Sequence, residues 1–324
     1  MRTQYHSHRI LEGTMTQQIA LGQKLIVSPP ATSANLGPGF DSLGLALEYR
    51  DRLEVGTAHS SRVEIFGDGA DELPRDESHL IIKEMHRYWK DAGFAPVGVE
   101  LVAHNRIPHA RGMGSSAAAI VAAYAAADAL LPAEARRGTE SIFQAAAAWE
   151  GHPDNVAPAV FGGLSISATN PDGSFSSVQV PLHPDLRAVL AIPSNGLSTE
   201  VARGALPSHI EHAVAAANSA SAALLIHALS NDPSQLLGGT KDYLHQDYRA
   251  AAMPQSAALI AKLRDAGLAA VVSGAGPTVM TLVSSEDQVA AVQAVINEFS
   301  ASSSASWRAE VPKLANNGVT VEVL

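Results

Sequence analysis

Apolar positions recur at the spacing of one helix face through Leu80, Ile81, Ile82, Met85, Tyr88 and Trp89, which predicts a helix over 79–92. An alanine-rich run predicts a second helix over 115–131, stopped by Pro132, and a third is expected over 141–150, closed by Gly151 and Pro153. Short apolar runs between them read as strands at 25–27, within 43–58, and at 61–66, 97–102, 161–167 and 178–181. Pro29 and Pro30 are expected to stop regular structure after the first of these. A boundary is expected at 181–186. Beyond it, strands at 187–192, 269–272, 278–283 and 319–323 alternate with helices at 208–229, 233–244, 254–265 and 286–299. The pattern predicts an α+β protein of two domains, 24–183 and 184–324.

Length and composition agree with that division. A chain of 324 residues is long for one core and comfortable for two. Hydrophobic residues at 46% and charged residues at 17% are an ordinary globular composition. The net charge of −10 argues against wrapping a nucleic-acid backbone, and no Lys/Arg run marks an anionic membrane surface. With no cysteine, disulfides, thiolate zinc sites and thiol nucleophiles are excluded, which is compatible with the cytoplasm. No uninterrupted apolar stretch is expected to reach the length that spans a bilayer. Residues 1–23 lack both a periodic pattern and a signal-peptide core, so a disordered extension is expected there, with structure beginning near Lys24 and Met15 offering an internal start.

Four glycine-rich or polar segments carry the chemistry. The first, PHARGMGSSAA at 108–118, lies between a strand and the alanine-rich helix. A helix start offers unpaired N–H groups and a partial positive charge. Gly112 and Gly114 let backbone approach phosphate oxygens, and Ser115 and Ser116 add hydroxyls for a phosphate or a magnesium ion. The segment lacks the Gly-Lys-Ser/Thr of a Walker A loop and the G-x-G-x-x-G of a dinucleotide fold. Alone, it reads equally well as a capped helix after a glycine turn. SPPATSANLGPGFD at 28–41 presents Asn35 and Asp41 on a stiff loop. EGHPDNVAPAVFGG at 150–163 gathers Glu, His, Asp and Asn at a helix end, and VSGAGP at 272–277 lies between two strands. Each taken singly has a bland reading as a turn, a charged helix terminus or a hairpin.

In this order and spacing the segments resemble the motifs of the GHMP small-molecule kinase superfamily, over the chain from about Lys24 to its end. The resemblance is closest to its homoserine kinases, through SANLGPGFDSLGLAL (33–47), EGHPDNVAPA (150–159), STEVARGALP (198–207) and DYLHQDYR (242–249). It implies an N-terminal domain like ribosomal protein S5 domain 2 and a ferredoxin-like C-terminal domain. It also implies transfer of the ATP γ-phosphate to the side-chain hydroxyl of L-homoserine, giving O-phospho-L-homoserine for threonine biosynthesis. Mg²⁺ is the implied metal, the cytoplasm the implied compartment and a homodimer the implied assembly.

By the same resemblance, the ATP phosphates are expected on Pro108, His109, Ala110, Arg111, Gly112, Met113, Gly114, Ser115, Ser116, Ala117 and Ala118. Asn35, Asp41, His152, Asp154, Arg203 and Arg249 are expected around homoserine. Guanidinium groups suit its carboxylate and Asp41 its ammonium. Asp154 and Asn35 are the catalytic pair, set at the hydroxyl and γ-phosphate. Some homoserine kinases carry a magnesium-binding glutamate where Gln144 stands here, so Ser115 and Glu150 are the expected metal ligands. Two other readings remain open. One is a kinase for another alcohol, of the mevalonate or shikimate type, against which the arginines and Asp41 argue. The other is an inactive ATP-binding relative with a regulatory role, which Gln144 favours.

Overall fold

The computed structural model describes residues 17–324. The extension expected at 1–23 falls outside these residues up to position 16, and from 17 onward it is structured. Gln17–Gln18 pairs in parallel with Phe94–Ala95, Ile19 is buried in the same apolar cluster as Trp89 and Phe94, and the Gly22 N–H donates to Thr57 O at 2.9 Å. A single apolar anchor, Ile19, ties down a segment whose sequence carries no period.

The N-terminal domain is built on two sheets. One runs in the order Thr320–Val323, Lys24–Ser28, Arg52–Ala58, Gly98–Asn105, Arg62–Gly67, with only the last pair parallel. The other runs Phe175–Val180, Leu164–Thr169, Leu43–Arg50, Pro30–Ala34. The last strand of the chain therefore returns from the second domain to the edge of the first domain's sheet, which a single cut at 183/184 does not convey. The run 43–58 is two strands, one in each sheet. Buried Asp51 fixes the corner between them by accepting the Arg106 and Ile107 N–H groups at 2.6 and 2.8 Å. Pro30–Ala34 forms a strand despite the prolines. It lies at a sheet edge with Pro30 in first place, where a missing N–H costs least.

Helix Ser115–Ala129 has 11 of its 15 residues buried and no polar face. Alanine makes this workable: it favours helix and lets surrounding elements approach closely. Helix Leu80–Asp91 starts where periodicity placed it, with His79 as its cap. The strand expected from Phe161 begins later, at Leu164, because Val156–Phe161 is a short helix.

The C-terminal domain has one antiparallel sheet in the order Ala269–Val272, Val279–Val283, Arg187–Pro193, Trp307–Glu310; the last of these strands was not foreseen. Alternate residues face opposite ways. Val189, Ala191 and Val279 pack on helices Pro254–Asp265 and Glu286–Ser302, while Ala188, Leu190 and Met280 face Leu225 and Leu229 of helix His212–Ser230. This second cluster also takes in Met113, Ala118 and Leu45 from the N-terminal domain, so the domains share apolar core beside the 108–118 loop. The helix expected from 208 begins at His212 and is preceded by a separate helix, Thr199–Gly204. That expected over 233–244 breaks into Pro233–Gln235 and Leu236–Gly239, ending at a Gly-Gly pair. By length and composition His212–Ser230 could cross a membrane, contrary to the expectation from sequence. Its Asn218 is nevertheless built into the protein, donating to Pro38 O at 2.8 Å and accepting the Tyr243 N–H at 3.2 Å.

One contact places the later chemistry. A Cβ on Gly44 would lie 1.8 Å from Asp154 O and 2.8 Å from the Pro158 ring, so strand Leu43–Arg50 presses directly on the Asp154 loop. Gly44→Ala should therefore cost about 1–3 kcal/mol of stability by overpacking, read as a lower midpoint in denaturant. An unchanged midpoint would mean that this contact is loose.

Candidate active site

Loop 108–118 is held from three sides. A Cβ on Gly112 would sit 2.1 Å from Ser273 O, so loop 273–277 of the C-terminal domain rests on it. Ser273 Oγ donates to Gly112 O at 2.7 Å, the Thr32 N–H donates to Met113 O at 3.1 Å and the Leu197 N–H to Ala110 O at 2.8 Å. Ala110, Gly112 and Gly114 all have φ between 54 and 70°, a left-handed region that only glycine enters freely. Helix Ser115–Ala129 follows at once, with no side chain capping its first turn. Free N–H groups and the positive end of the helix thus face outward, as an anion site requires.

The four sequence segments meet in one cavity of ≈ 180 Å³. It is lined by Ala110, Gly112, Gly114, Ser115 and Ser116 of the loop, by Asn35 and Asp41, by Glu150, His152, Asp154 and Asn155, by Arg203 and Arg249, and by Gly274 and Ala275. All six residues expected around the small substrate are present. Five of the eleven loop residues line this cavity. His109 lines a second cavity, which Ser115 and Ser116 share. Pro108, Met113, Ala117 and Ala118 are buried in the packing behind the loop, and Arg111 lines neither cavity.

Asp154 is 2% exposed. Its Oδ1 accepts from His152 Nδ1 at 2.7 Å and from the Asn155 N–H at 2.9 Å. Burial disfavours a charged His152, but the hydrogen bond and charge of Asp154 outweigh that and hold its pKa above the ordinary value. Thr32 Oγ1 donates to Asn155 Oδ1 at 2.8 Å and fixes the next residue. Asn35 is less free than the sequence implied. Its Nδ2 donates to Gly274 O at 2.8 Å and its Oδ1 accepts the Asp41 N–H at 2.9 Å, so it ties two loops together at the cavity wall. Asp41 pairs with Arg203 at 2.8 Å.

Arg249 is 2% exposed and has no carboxylate partner among the described residues. Its Nε donates to Ala202 O at 3.1 Å and its Nη1 to His245 Nδ1 at 3.1 Å, and it stacks over Phe40. His245 Nε2 donates to Gly37 O at 2.8 Å, which leaves Nδ1 as the acceptor and makes the ring neutral. Asp242 caps the turn beneath by accepting the Leu244, His245 and Gln246 N–H groups. Sequence reasoning passed over His245 and Asp242. The available signal was the i, i+4 spacing of His245 and Arg249 inside DYLHQDYR.

The second cavity, ≈ 330 Å³, is lined chiefly by apolar side chains including Leu53, Leu73, Leu80 and Ile81, with Asp51, Asn105 and His79. His79 Nδ1 accepts the Ile81 N–H at 3.3 Å, and its buried Nε2 has no partner. Of its wall, the sequence motifs mark His109, Ser115 and Ser116 of the 108–118 loop; the apolar part comes from separate elements that share no motif.

A Mg²⁺ ion bridging phosphates needs few protein ligands. The residues here fit one: Ser116 Oγ lies 3.1 Å from Glu150 Oε2, at the helix start. Ser116 is the serine in contact with Glu150, and Ser115, expected with Glu150 as a metal ligand, lines the same cavity. Burial raises the pKa of Glu150, against the pull of His152 and Ser116. Gln144 faces elsewhere. It holds strand Phe175–Val180, accepting the Phe175 N–H at 3.0 Å and donating to Phe175 O at 2.7 Å.

A glycine loop at an open helix start, wedged between two α+β domains and opening on a cavity of acids and arginines, is the architecture of a small-molecule phosphotransferase, and the comparisons with known proteins agree. Residues 79–163 match the family model of the GHMP kinase N-terminal domain, and residues 223–301 that of the GHMP kinase C-terminal domain. The chain is 43% identical over 297 residues to homoserine kinase of Streptomyces coelicolor, covering 91% of this chain and 93% of that one. It is 41% identical over 312 residues to homoserine kinase of Clavibacter michiganensis, covering 96% and 98%. The crystal structure of homoserine kinase from Cytophaga hutchinsonii superposes with a TM-score of 0.81 at 25% identity, over 94% of this chain and 98% of that one. The chain belongs to the homoserine kinase family of the GHMP kinases.

Burial, aided by the charge of Arg249 and opposed by Asp242, Gly37 O and Asp41, pushes the His245 pKa down. The folded protein then binds that proton less readily than the unfolded chain. The associated stability is fully present above about pH 6.5 and is lost as pH falls below it. Between about pH 7 and pH 5 the Tm of His245→Gln should fall less steeply than that of the wild type. Parallel falls would show that His245 does not carry this dependence.

Proposed function

We propose that the protein phosphorylates the side-chain hydroxyl of L-homoserine with ATP, yielding O-phospho-L-homoserine and ADP. The observation that carries this reading is the single cavity in which the loop residues Gly112, Gly114, Ser115 and Ser116 face Asp154, Arg203 and Arg249. Homoserine offers a carboxylate, an ammonium and a hydroxyl, and the cavity wall holds groups for each. Arg249 is a buried cation with no carboxylate of its own, and Arg203 lies on the same wall, so the substrate carboxylate belongs between them. Asp41 then has the ammonium to pair with. Asp154 presents its carboxylate to the hydroxyl, oriented by His152 and Asn155.

The nucleotide is assigned to the two cavities that meet at Ser115 and Ser116. The apolar cavity takes the nucleoside, where the unpartnered Nε2–H of His79 offers the base a hydrogen bond. The triphosphate lies along the backbone N–H groups of 112–116. Mg²⁺, held by Ser116 and Glu150, supplies charge neutralisation on the phosphates when bound. Transfer forms a bond from the homoserine hydroxyl oxygen to the γ-phosphorus and breaks the γ-phosphorus bond to the bridging oxygen, with ADP leaving and the hydroxyl proton passing to the transferred phosphoryl group and from there to solvent. In such a reaction positioning and charge stabilisation dominate. Asp154 accepts the hydroxyl hydrogen bond and aims the oxygen. The compartment we assign is the cytoplasm, in keeping with a chain free of cysteine.

The test is ADP release with Mg-ATP and, in turn, L-homoserine, L-serine, mevalonate and shikimate. Turnover should be fastest with L-homoserine by a wide margin; preferential turnover of mevalonate or shikimate would contradict the reading. Asp154→Asn should lower kcat about a hundredfold while leaving the KM for ATP nearly unchanged. Turnover close to wild type would remove that carboxylate from the reaction.

A further inference from the structure

Arg111 sits in the middle of the phosphate loop, yet its guanidinium points away from both cavities. Nη1 donates to His109 O at 2.6 Å, Nη2 to Ser194 O at 2.7 Å and Nε to Pro193 O at 3.3 Å. Three backbone carbonyls share its charge, and no carboxylate pairs with it among the described residues. A planar fork with donors on several edges can serve three carbonyls in different directions, which an ammonium on a flexible stem does poorly. Pro193 closes strand Arg187–Pro193 of the C-terminal domain. A few residues on, the Leu197 N–H donates to Ala110 O at 2.8 Å, and a Cβ on Gly196 would already lie 3.1 Å from that same oxygen.

The segment pinned in this way leads directly into helix Thr199–Gly204, which carries Arg203. Arg203 in turn binds Asp41 at 2.8 and 3.2 Å. Residues 193–203 are therefore fastened at one end to the phosphate loop and at the other to the loop that holds Asp41. Arg111 adds two bonds to the fastening at the phosphate end, to Pro193 O and Ser194 O, beside the single N–H of Leu197, while its bond to His109 O braces the guanidinium within its own loop.

We propose that Arg111 is a positioning residue that couples the two substrate sites, and not a phosphate ligand. A nucleotide that fixes loop 110–116 fixes residues 193–197 through Arg111, and so sets where Arg203 meets the amino acid. By linkage, the amino acid must then tighten nucleotide binding by the same factor. This rests on the assignment of ATP and homoserine to the two halves of the site.

The test is calorimetric titration of the full-length protein with a non-hydrolysable ATP analogue and Mg²⁺, with and without saturating L-homoserine. Wild type, Arg111→Ala and Arg111→Lys are compared. The wild type should bind the analogue about fivefold tighter or more when homoserine is present. Both variants should bind the analogue alone within about threefold of wild type and lose most of the enhancement. Arg111→Lys keeps the charge but not the fork, so it separates the clamp from simple attraction of phosphate. In turnover, both variants should raise the KM for homoserine more than that for ATP. Equal enhancement in wild type and variants, or none in the wild type, would overturn the proposal. So would analogue binding that Arg111→Ala abolishes and Arg111→Lys restores, since that would make Arg111 a phosphate ligand. If the wild type bound no analogue and turned over no alcohol, the assignment of function would fail and this inference with it.

Discussion

The contact on which the site depends is the one between Gly112 and Ser273. No side chain fits there: a Cβ on Gly112 would stand 2.1 Å from Ser273 O, and Ser273 Oγ returns a hydrogen bond to Gly112 O at 2.7 Å. The phosphate loop therefore receives its shape from both domains. Left-handed backbone is free for Gly112 and Gly114 but conformationally costly at Ala110 in an isolated loop. It persists because strand Pro30–Ala34 holds one side of the loop through Thr32, while 273–277 and 193–197 hold the others. The apolar cluster that takes Met113 and Ala118 in with Leu190 and Leu225 makes this docking a packed core and not a hinge.

The same docking explains the electrostatics. Arg249 comes from the C-terminal domain and is desolvated against Phe40 of the N-terminal domain, held by carbonyls and a neutral His245. An arginine kept this way has hydrogen bonds but no counter-charge of its own, so a carboxylate entering the cavity completes the set. In the same cavity Asp154 supplies negative charge to His152 and Asp41 to Arg203, with Glu150 beside Ser116. Charges of both signs are thus fixed in advance around one cavity, with Arg203 already paired to Asp41.

Much of this was legible in the sequence. The periodic helix at Leu80–Asp91, the alanine helix and the four polar segments were all found by pattern, and the segments converge as their joint resemblance implied. What stayed hidden has physical reasons. Strand Pro30–Ala34 hid behind its prolines, because an edge position tolerates them. The run 43–58 reads as one strand because the turn between sheets is made by a buried carboxylate, Asp51, and not by glycine or proline. His245 acts through a buried hydrogen bond to the distant Gly37, which no local pattern records.

The most direct measurement is a crystal structure with a non-hydrolysable ATP analogue, Mg²⁺ and L-homoserine bound together. The account predicts the γ-phosphate on the N–H groups of 112–116, the homoserine carboxylate between Arg203 and Arg249, and its hydroxyl oxygen between Asp154 and the γ-phosphorus. Homoserine bound outside this cavity, or a triphosphate that leaves loop 112–116 untouched, would contradict it.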